Sequence, residues 1–305
     1  MPRAAIVSPV RTPVGSFGKS LLPVPVEKLG GIVTREVLKR SGIEPSLIED
    51  VVFAQSYANS ETPCVGRWIA LDAGLPIEVP GLQIDRRCGG GLQSIVTAAM
   101  MVESGACDVV LAGGVESMSN IEYYTTDMRW GARSGTTRFY DRLDRVLMKD
   151  GTVTAGNAAQ QNDAAAACLV VSEARLQEFG LEPMAFLKGW SAVGCDPSRM
   201  GIGPVPATRK VLKKTGLSIH DMGLVEINEA FAAQVLACLK SLDWDDQSIL
   251  NVNGSGISLG HPIGATGVRI MATLLHEMKR RDVRYGLETM CIGGGQGMAA
   301  IFERA

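Results

Sequence analysis

The sequence predicts an α/β protein whose strands alternate with helices, so that most of the sheet is parallel and covered on both faces. Three observations carry this. Short runs rich in Val, Ile and Leu alternate with longer stretches whose apolar residues recur at helical spacing. The 35 glycines gather where apolar runs end, as turns from strand to helix require. One stretch is also echoed later: VLKRSGIEPSLIEDVVFAQ from Val37 resembles VLKKTGLSIHDMGLVEINEA from Val211. Each reads as a helix end, a glycine stop, a capped turn and a strand. A second echo pairs VVLAGG, ending at Gly114, with MCIGGG, ending at Gly295. Two similar βαβ-based halves packed together are the expectation.

In chain order, AAIVSPV (4–10) is a strand and EKLGGIVTREVLKRSG (27–42) a helix stopped by its last glycine. EDVVFAQ (49–55) is the next strand, and GLQSIVTAAMMVESG (91–105) carries apolar residues at helical spacing before the strand CDVVLAGG (107–114). From about Ile121 to Asp150 periodicity disappears, and Tyr123, Tyr124, Trp130 and Tyr140 stand among several arginines. That stretch predicts a surface excursion between the halves. LVEINEA (224–230) and ILNVNG (249–254) read as strands, and GATGVRIMATLLHEMKRR (264–281) as a helix.

With 305 residues and 46% hydrophobic content the chain can bury a large core. A net charge of −2, with both signs interspersed, gives no extended nucleic-acid surface, and no apolar run reaches the length of a membrane span. The start, MPRAAIVSPV, lacks the apolar core of a signal peptide. Seven cysteines without framework spacing point to a reducing compartment, the cytoplasm.

Cys88, in DRRCGGGLQ, stands at or just before a helix start, where unpaired N–H groups and the helix dipole favour thiolate over thiol. The glycines after it permit close approach of backbone or substrate and leave N–H groups free for an oxyanion. A buried structural cysteine is the competing reading, and it suits Cys64, Cys107, Cys168, Cys195 and Cys238. His261, in GHPIGATG, is held between glycines and Pro262, where it can take a proton from a thiol or donate to an oxyanion; a phosphate-binding turn is the alternative. His220 and His276 lie in polar surroundings and read as solvated. Cys291 in CIGGGQG could act as acid or base if a neighbour perturbs it. Asn228 and Glu229 close one strand and open a helix, so helix capping competes with a role for Asn228 in holding a water or a carbonyl oxygen. Scattered histidines and isolated cysteines offer no metal-ligand spacing.

Taken in order, RTPVGSFGKSL, CGGGLQ, GGVESMS, DGTVTAGN, MGIGPVPA, NEAF, GHPIG and CIGGGQG closely resemble the motifs of the thiolase family over nearly the whole chain. The related ketoacyl synthases also place a cysteine at a helix start but lack the second one in CIGGGQG. The resemblance implies a layered α/β/α/β/α fold. Its first half would comprise 1–118 with about 151–185, its second 186–305, and 119–150 would be the remnant of a loop domain. It implies an acyl-CoA C-acyltransferase that makes or cleaves a 3-ketoacyl-CoA through a Cys88 acyl-enzyme, with ping-pong kinetics. His261 would activate Cys88 and, with a water on Asn228, form one oxyanion hole; the N–H groups of Cys88 and Gly293 would form the other; Cys291 would be the acid/base. Met118, Ala159, Phe231 and Gly260 would contact substrate. Coenzyme A thioesters are then substrates, no separate cofactor is implied, and a homodimer or higher homo-oligomer is expected.

Three departures stand out. Only about thirty residues connect Ser119 to Gly151, where on the order of a hundred more, a small domain, would be usual. GNAAQ replaces the usual GNASG, so Ala159 stands for a serine and Gln160 for a glycine, and Gly90 stands where serine is frequent. The shortened loop suggests a second reading, a thiolase-fold acyl-CoA binder or assembly subunit with impaired catalysis. The intact Cys88, His261, Asn228 and Cys291 favour the enzyme.

Overall fold

A computed structural model describes residues 2–143 and 153–305. Its first part holds β1 (Ala4–Arg11), β2 (Gly15–Ser16), α1 (Val26–Ser41), β3 (Asp50–Ala54), α2 (Val65–Ala73), β4 (Leu82–Ile84), α3 (Gly90–Glu103) and β5 (Val109–Ser117). The short strands β6 (Tyr123–Tyr124) and β7 (Tyr140–Asp141) pair with each other, and β8 (Asn162–Ser172) follows. The second part holds β9 (Ala185–Gly194), α4 (Pro204–Thr215), β10 (Leu224–Ile227), α5 (Ala232–Ser241), α6 (Thr266–Arg281), β11 (Tyr285–Ile292) and β12 (Gln296–Arg304).

The large sheet runs β10-β11-β12-β9-β1-β8-β5-β3-β4, with β2 beside β8. From the central β1/β9 join outward, the two sides mirror each other. Each begins with its first strand, then has an antiparallel last strand (β8 or β12), then parallel strands (β5 and β3, or β11 and β10). The match extends to the Val37/Val211 echo. Gly42 and Gly216 end α1 and α4 with φ of 69° and 71°, the left-handed cap that favours glycine. Single 3₁₀ turns, Pro45–Leu47 and Ile219–Asp221, then lead into β3 and β10. The Gly114/Gly295 echo is looser, because β5 runs on to Ser117 whereas Gly294 and Gly295 form a turn at φ 88° and 82°.

Strand alternation produces the layers. Along β5, Val109 and Leu111 face an outer core with α1 and α2, while Val110 and Ala112 face a central core with α3 and α6. A third core lies between α4, α5 and the other side of the second half, where Val211, Val235, Cys238, Leu287 and Ile301 meet. The layered α/β architecture expected from the sequence is therefore present, with α3 and α6 in the middle, but the mostly parallel sheet is not. Among the described strands only β10/β11, β3/β5 and β3/β4 pair in parallel, because the first and last strands of each half lie side by side at the centre and run antiparallel to their neighbours. These helices meet at their starts through glycine. A Cβ on Gly91 would stand 2.8 Å from Val268 N and 3.0 Å from Gly267 N, and one on Gly267 would strike Leu92 N. The sheet join is slight by comparison, with only Ala5–Phe186 and Ile6–Ala185 paired between β1 and β9.

The strand expected at 249–254 is only a single parallel bridge from Leu250 to Val225. Asn251 explains it: at φ 45° its side chain accepts from Ile227 N–H (2.8 Å) and donates to Ile227 O (2.9 Å), occupying groups that a ladder would use. The aromatic stretch from Tyr123 is an excursion as expected, with Trp130 90% exposed. Its last residues lie outside the described ones.

Candidate active site

Cys88 lies in a 3₁₀ turn, Arg87–Gly89, that runs directly into α3. Arg87 before it holds φ 46°, uncommon for a side-chain-bearing residue. The turn is pinned by Arg87 N–H to Asp85 Oδ1 (2.7 Å) and by Arg87 Nη1 to Ser56 O (2.8 Å). Burial pushes the Cys88 thiol above its ordinary range, while the N–H groups of Gly293 and of Cys88 itself pull it down, with a smaller contribution from Arg87. The helix-start expectation of a thiolate is thereby corrected: desolvation outweighs the donors, and the resting group is a thiol. The two N–H groups at its sulfur are those expected to form an oxyanion hole.

His261 opens the turn that leads through Ile263–Ala265 into α6. Its N–H donates to Asn162 Oδ1 (2.8 Å), and its Nδ1 lies 2.6 Å from Thr266 Oγ1, whose hydroxyl donates to Pro262 O (3.0 Å). With that hydroxyl proton engaged, Nδ1 is the donor and Nε2 carries the free lone pair. Burial, then the charge of Arg269, lowers the imidazole to about 3, so the ring is neutral and its Nε2 is basic but uncharged. Asn228 Nδ2 sits 3.4 Å from that Nε2. Asn228 is wholly buried, with its N–H on Thr289 O (3.0 Å), and its Oδ1 has no protein partner among the described residues. Neither Asn228 nor Glu229 caps α5. Glu229 instead accepts from Asn251 Nδ2 (3.2 Å) and Ile257 N–H (3.1 Å), tying down the segment before His261.

Cys291, near the end of β11, is fully buried. Burial raises its thiol far above the ordinary range, and charge repulsion with Cys88 adds to this, followed by Cys238. A charge on Cys88 would oppose ionisation of Cys291.

The residues expected at the substrate fall partly together. Ala159 donates its N–H to Ala230 O (2.9 Å), and Ala158 bridges Phe231, which places Ala159 and Phe231 on adjoining segments. Gln160 is exposed and folds its amide back on Ala155 O (2.8 Å). Met118 is buried, with Sδ accepting from Asn162 N–H. Gly260, at φ 114°, presses against Asn162 and Val14. Exposed His220 lies apart, and exposed His276 lies at Pro9 O (3.2 Å).

Sequence reasoning missed the residues that hold the histidine turn: Asn162, Thr266, Glu116 and Arg269. Glu116 lies inside the quoted GGVESMS and Thr266 inside GHPIGATG, whereas Asn162 lies outside every quoted motif and Arg269 only within a helical pattern. Arg269 is fully buried and directs Nη2 at Gly260 O (3.4 Å). Near it, Glu226 and Glu288 sit opposite each other on the parallel strands β10 and β11. Burial raises Glu226 to about 8 and Glu288 well above the ordinary range, while Arg269 is lowered to about 10. Among the described residues no cluster of His, Cys, Asp or Glu could hold a metal ion, and no helix is long and apolar enough to cross a membrane.

Comparison with known proteins gives a consistent result. The family model "Thiolase, N-terminal domain" matches residues 4–148, and "Thiolase, C-terminal domain" matches residues 181–304. Acetyl-CoA acetyltransferase of Chromobacterium violaceum is 35% identical over 389 positions, spanning 98% of this chain and 99% of that protein. Beta-ketothiolase BktB of Cupriavidus necator is 37% identical over 388 positions, spanning 98% of each. Among solved structures, Bacillus anthracis acetyl-CoA acetyltransferase superposes with a TM-score of 0.96 at 35% identity, covering 100% of this chain and 99% of that one. Human mitochondrial 3-ketoacyl-CoA thiolase in complex with CoA superposes with a TM-score of 0.92 at 33% identity, covering 100% and 98%. An alignment 389 positions long against 305 residues leaves at least 84 positions of the Chromobacterium protein with no counterpart here.

Proposed function

Because the chain belongs to the thiolase family and is an acyl-CoA C-acyltransferase, we propose that Cys88 is the residue it acylates, in a ping-pong reaction on short 3-ketoacyl-CoA thioesters. The observation that carries this is the convergence at one sulfur. Two N–H groups face Cys88, a second buried thiol adjoins it, and a neutral histidine with Asn228 at its Nε2 stands at the start of the helix packed against α3.

In the first half-reaction the Cys88 thiol passes its proton to His261 Nε2 as sulfur attacks the thioester carbonyl. The negative charge that develops on that oxygen is held by fixed donors. CoA leaves as its thiol, taking the proton of Cys291 and leaving that sulfur as the thiolate, and the acyl group remains on Cys88. In the second half-reaction Cys291 acts as base toward either the α-carbon of another acyl-CoA or the CoA thiol. The enolate or tetrahedral oxygen is held by His261 and a water on Asn228, whose Oδ1 is available for it. The N–H groups of Cys88 and Gly293 hold the oxygen of the acyl-enzyme. Met118, Ala159, Phe231 and Gly260 line the way to the thiol.

The reading extends to organisation. The two halves are taken as 1–118 with about 151–185, and 186–305, and the positions missing relative to the Chromobacterium protein are assigned between Ser119 and Gly151. Coenzyme A is the bound partner, as supported by the CoA complex of the human relative. No separate cofactor enters. A homodimer or larger homo-oligomer is proposed, and seven free cysteines support a reducing compartment, taken as the cytoplasm.

Intact-mass measurement with acetyl-CoA tests the reading. The chain should gain one acetyl group, Cys88→Ala none, and Cys291→Ala should acetylate yet fail to turn over acetoacetyl-CoA. A folded chain that takes no acetyl group, or a Cys88→Ala chain that takes one, overturns it.

A further inference from the structure

We infer that Glu116 is a positioning residue that fixes the Cys88 turn and the His261 turn against each other, by binding backbone N–H groups from both halves of the molecule. This rests on the catalytic reading above.

Glu116 stands on β5 and is completely buried. Its Oε2 accepts from Ser56 N–H (3.0 Å) and Gly264 N–H (2.8 Å), and its Oε1 accepts from Tyr57 N–H (3.1 Å). Gly264 lies three residues beyond His261, within the turn that starts α6. Ser56 and Tyr57 form the loop after β3, and Ser56 O receives Arg87 Nη1 (2.8 Å), the residue beside Cys88. One carboxylate therefore reaches the His261 turn directly at Gly264 and the Cys88 turn through Ser56.

A buried carboxylate normally has a cation or a metal as partner. Among the described residues Glu116 forms no ion pair; backbone N–H groups alone hold it. Removing the charge would ease its burial but would leave too few acceptor sites for three donors. The arrangement favours alignment over stability.

The titratable groups around it are few. Asp85 follows β4, Arg87 and Cys88 lie in the next turn, and Tyr57 lies in the loop after β3, with Arg142 over its ring at 5.8 Å. His261 is in the turn from α6. His261 is lowered to about 3, Cys88 and Tyr57 are raised, and burial raises Glu116 to about 7. On protonation, one oxygen becomes a donor facing N–H groups that are themselves donors.

The experiment compares the rate of Cys88 acetylation by acetyl-CoA in the wild-type chain, Glu116→Gln and Glu116→Asp between pH 5.5 and 8.5. CoA affinity is measured alongside. At pH 8.5 Glu116→Gln should be about 10- to 100-fold slower, with CoA affinity within about twofold, since a misplacement near 1 Å has that effect on rate. As pH falls through about 7 the wild-type rate should converge on that of Glu116→Gln, because both then lack the charge. Taking the ratio cancels every other titration. Glu116→Asp keeps the charge at shorter reach, so it should be slower than wild type, and its rate relative to Glu116→Gln should still rise with pH. A wild-type-to-Gln ratio that stays constant with pH marks a merely structural residue and overturns this inference alone. A wild-type chain that takes no acetyl group overturns both this inference and the catalytic reading.

Discussion

The contact between α3 and α6 makes a sharp prediction at Gly91. A methyl group there would lie 2.8 Å from Val268 N, 2.9 Å from Gly264 O and 3.0 Å from Gly267 N. All three are backbone atoms, so no side chain can swing aside. Restoring ordinary contact needs the helix starts to part by roughly 0.5–1 Å. Overpacking of this kind costs about 1–3 kcal/mol. The better helix propensity of alanine returns about 0.5–1 kcal/mol of that. The net of about 0–2.5 kcal/mol means Gly91→Ala should melt no higher than wild type and at most about 10 °C below it. The same displacement moves Cys88 relative to His261, so acylation should slow by about 10- to 100-fold. Gly90, one residue earlier, is the control. Its added methyl would meet only the Ala54 methyl at 3.1 Å and Ser56 Oγ at 4.0 Å, so Gly90→Ala should acylate within about twofold of wild type. Rapid-quench intact mass gives the rate, and thermal unfolding gives the stability. The reasoning is refuted if Gly91→Ala acylates within threefold of wild type, or if Gly90→Ala is equally impaired.

Two further outcomes follow from the site. Thr266→Val keeps the shape but removes the acceptor for His261 Nδ1–H, a loss of about 1–3 kcal/mol for a buried donor. It should lower kcat about tenfold or more with KM little changed, which steady-state thiolysis would read; an unchanged kcat would mean that the ring is held without it. Glu226 and Glu288 have raised folded-state pKa values, so their stabilisation is complete below about pH 4.5 and is lost as pH rises, through about 8 for Glu226. The melting temperature should fall from pH 6 to pH 9, and Glu288→Gln should reduce that fall; a variant curve parallel to wild type would refute the assignment.

Much of the site was legible because glycine, cysteine and histidine carry their context with them. Cys88 and His261 stand in glycine-rich turns and Cys291 lies at the end of the strand before another, and the order of those turns is distinctive. The Val37/Val211 echo likewise showed its matching backbone, since a left-handed glycine cap leaves the same mark twice. β8 was not legible as a strand. Ala164–Ala167 have the strongest intrinsic helix preference, yet they form a strand buried on both faces, where small side chains let helices lie close. The supports of the histidine were hidden for another reason. Asn162 is 99 residues from His261 and Glu116 is 148 from Gly264, and nothing local marks a side chain whose partner is a distant backbone N–H. The thiol's protonation also depended on depth of burial, which a helix-start pattern does not report.

The slight pairing of β1 with β9 has an evolutionary reading. Two similar units share one central core in which the starts of α3 and α6 meet backbone to backbone, and those starts are where the units differ in chemistry. One presents sulfur, the other imidazole. An ancestral pair of identical subunits would have had two copies of a single half-site, each limited to whatever its twin also carried. Fusion into one polypeptide would release that constraint and, on the proposed reading, let one copy accept the acyl chain while the other moves its proton. The fold keeps its symmetry where symmetry serves packing and abandons it within a few residues of the reaction.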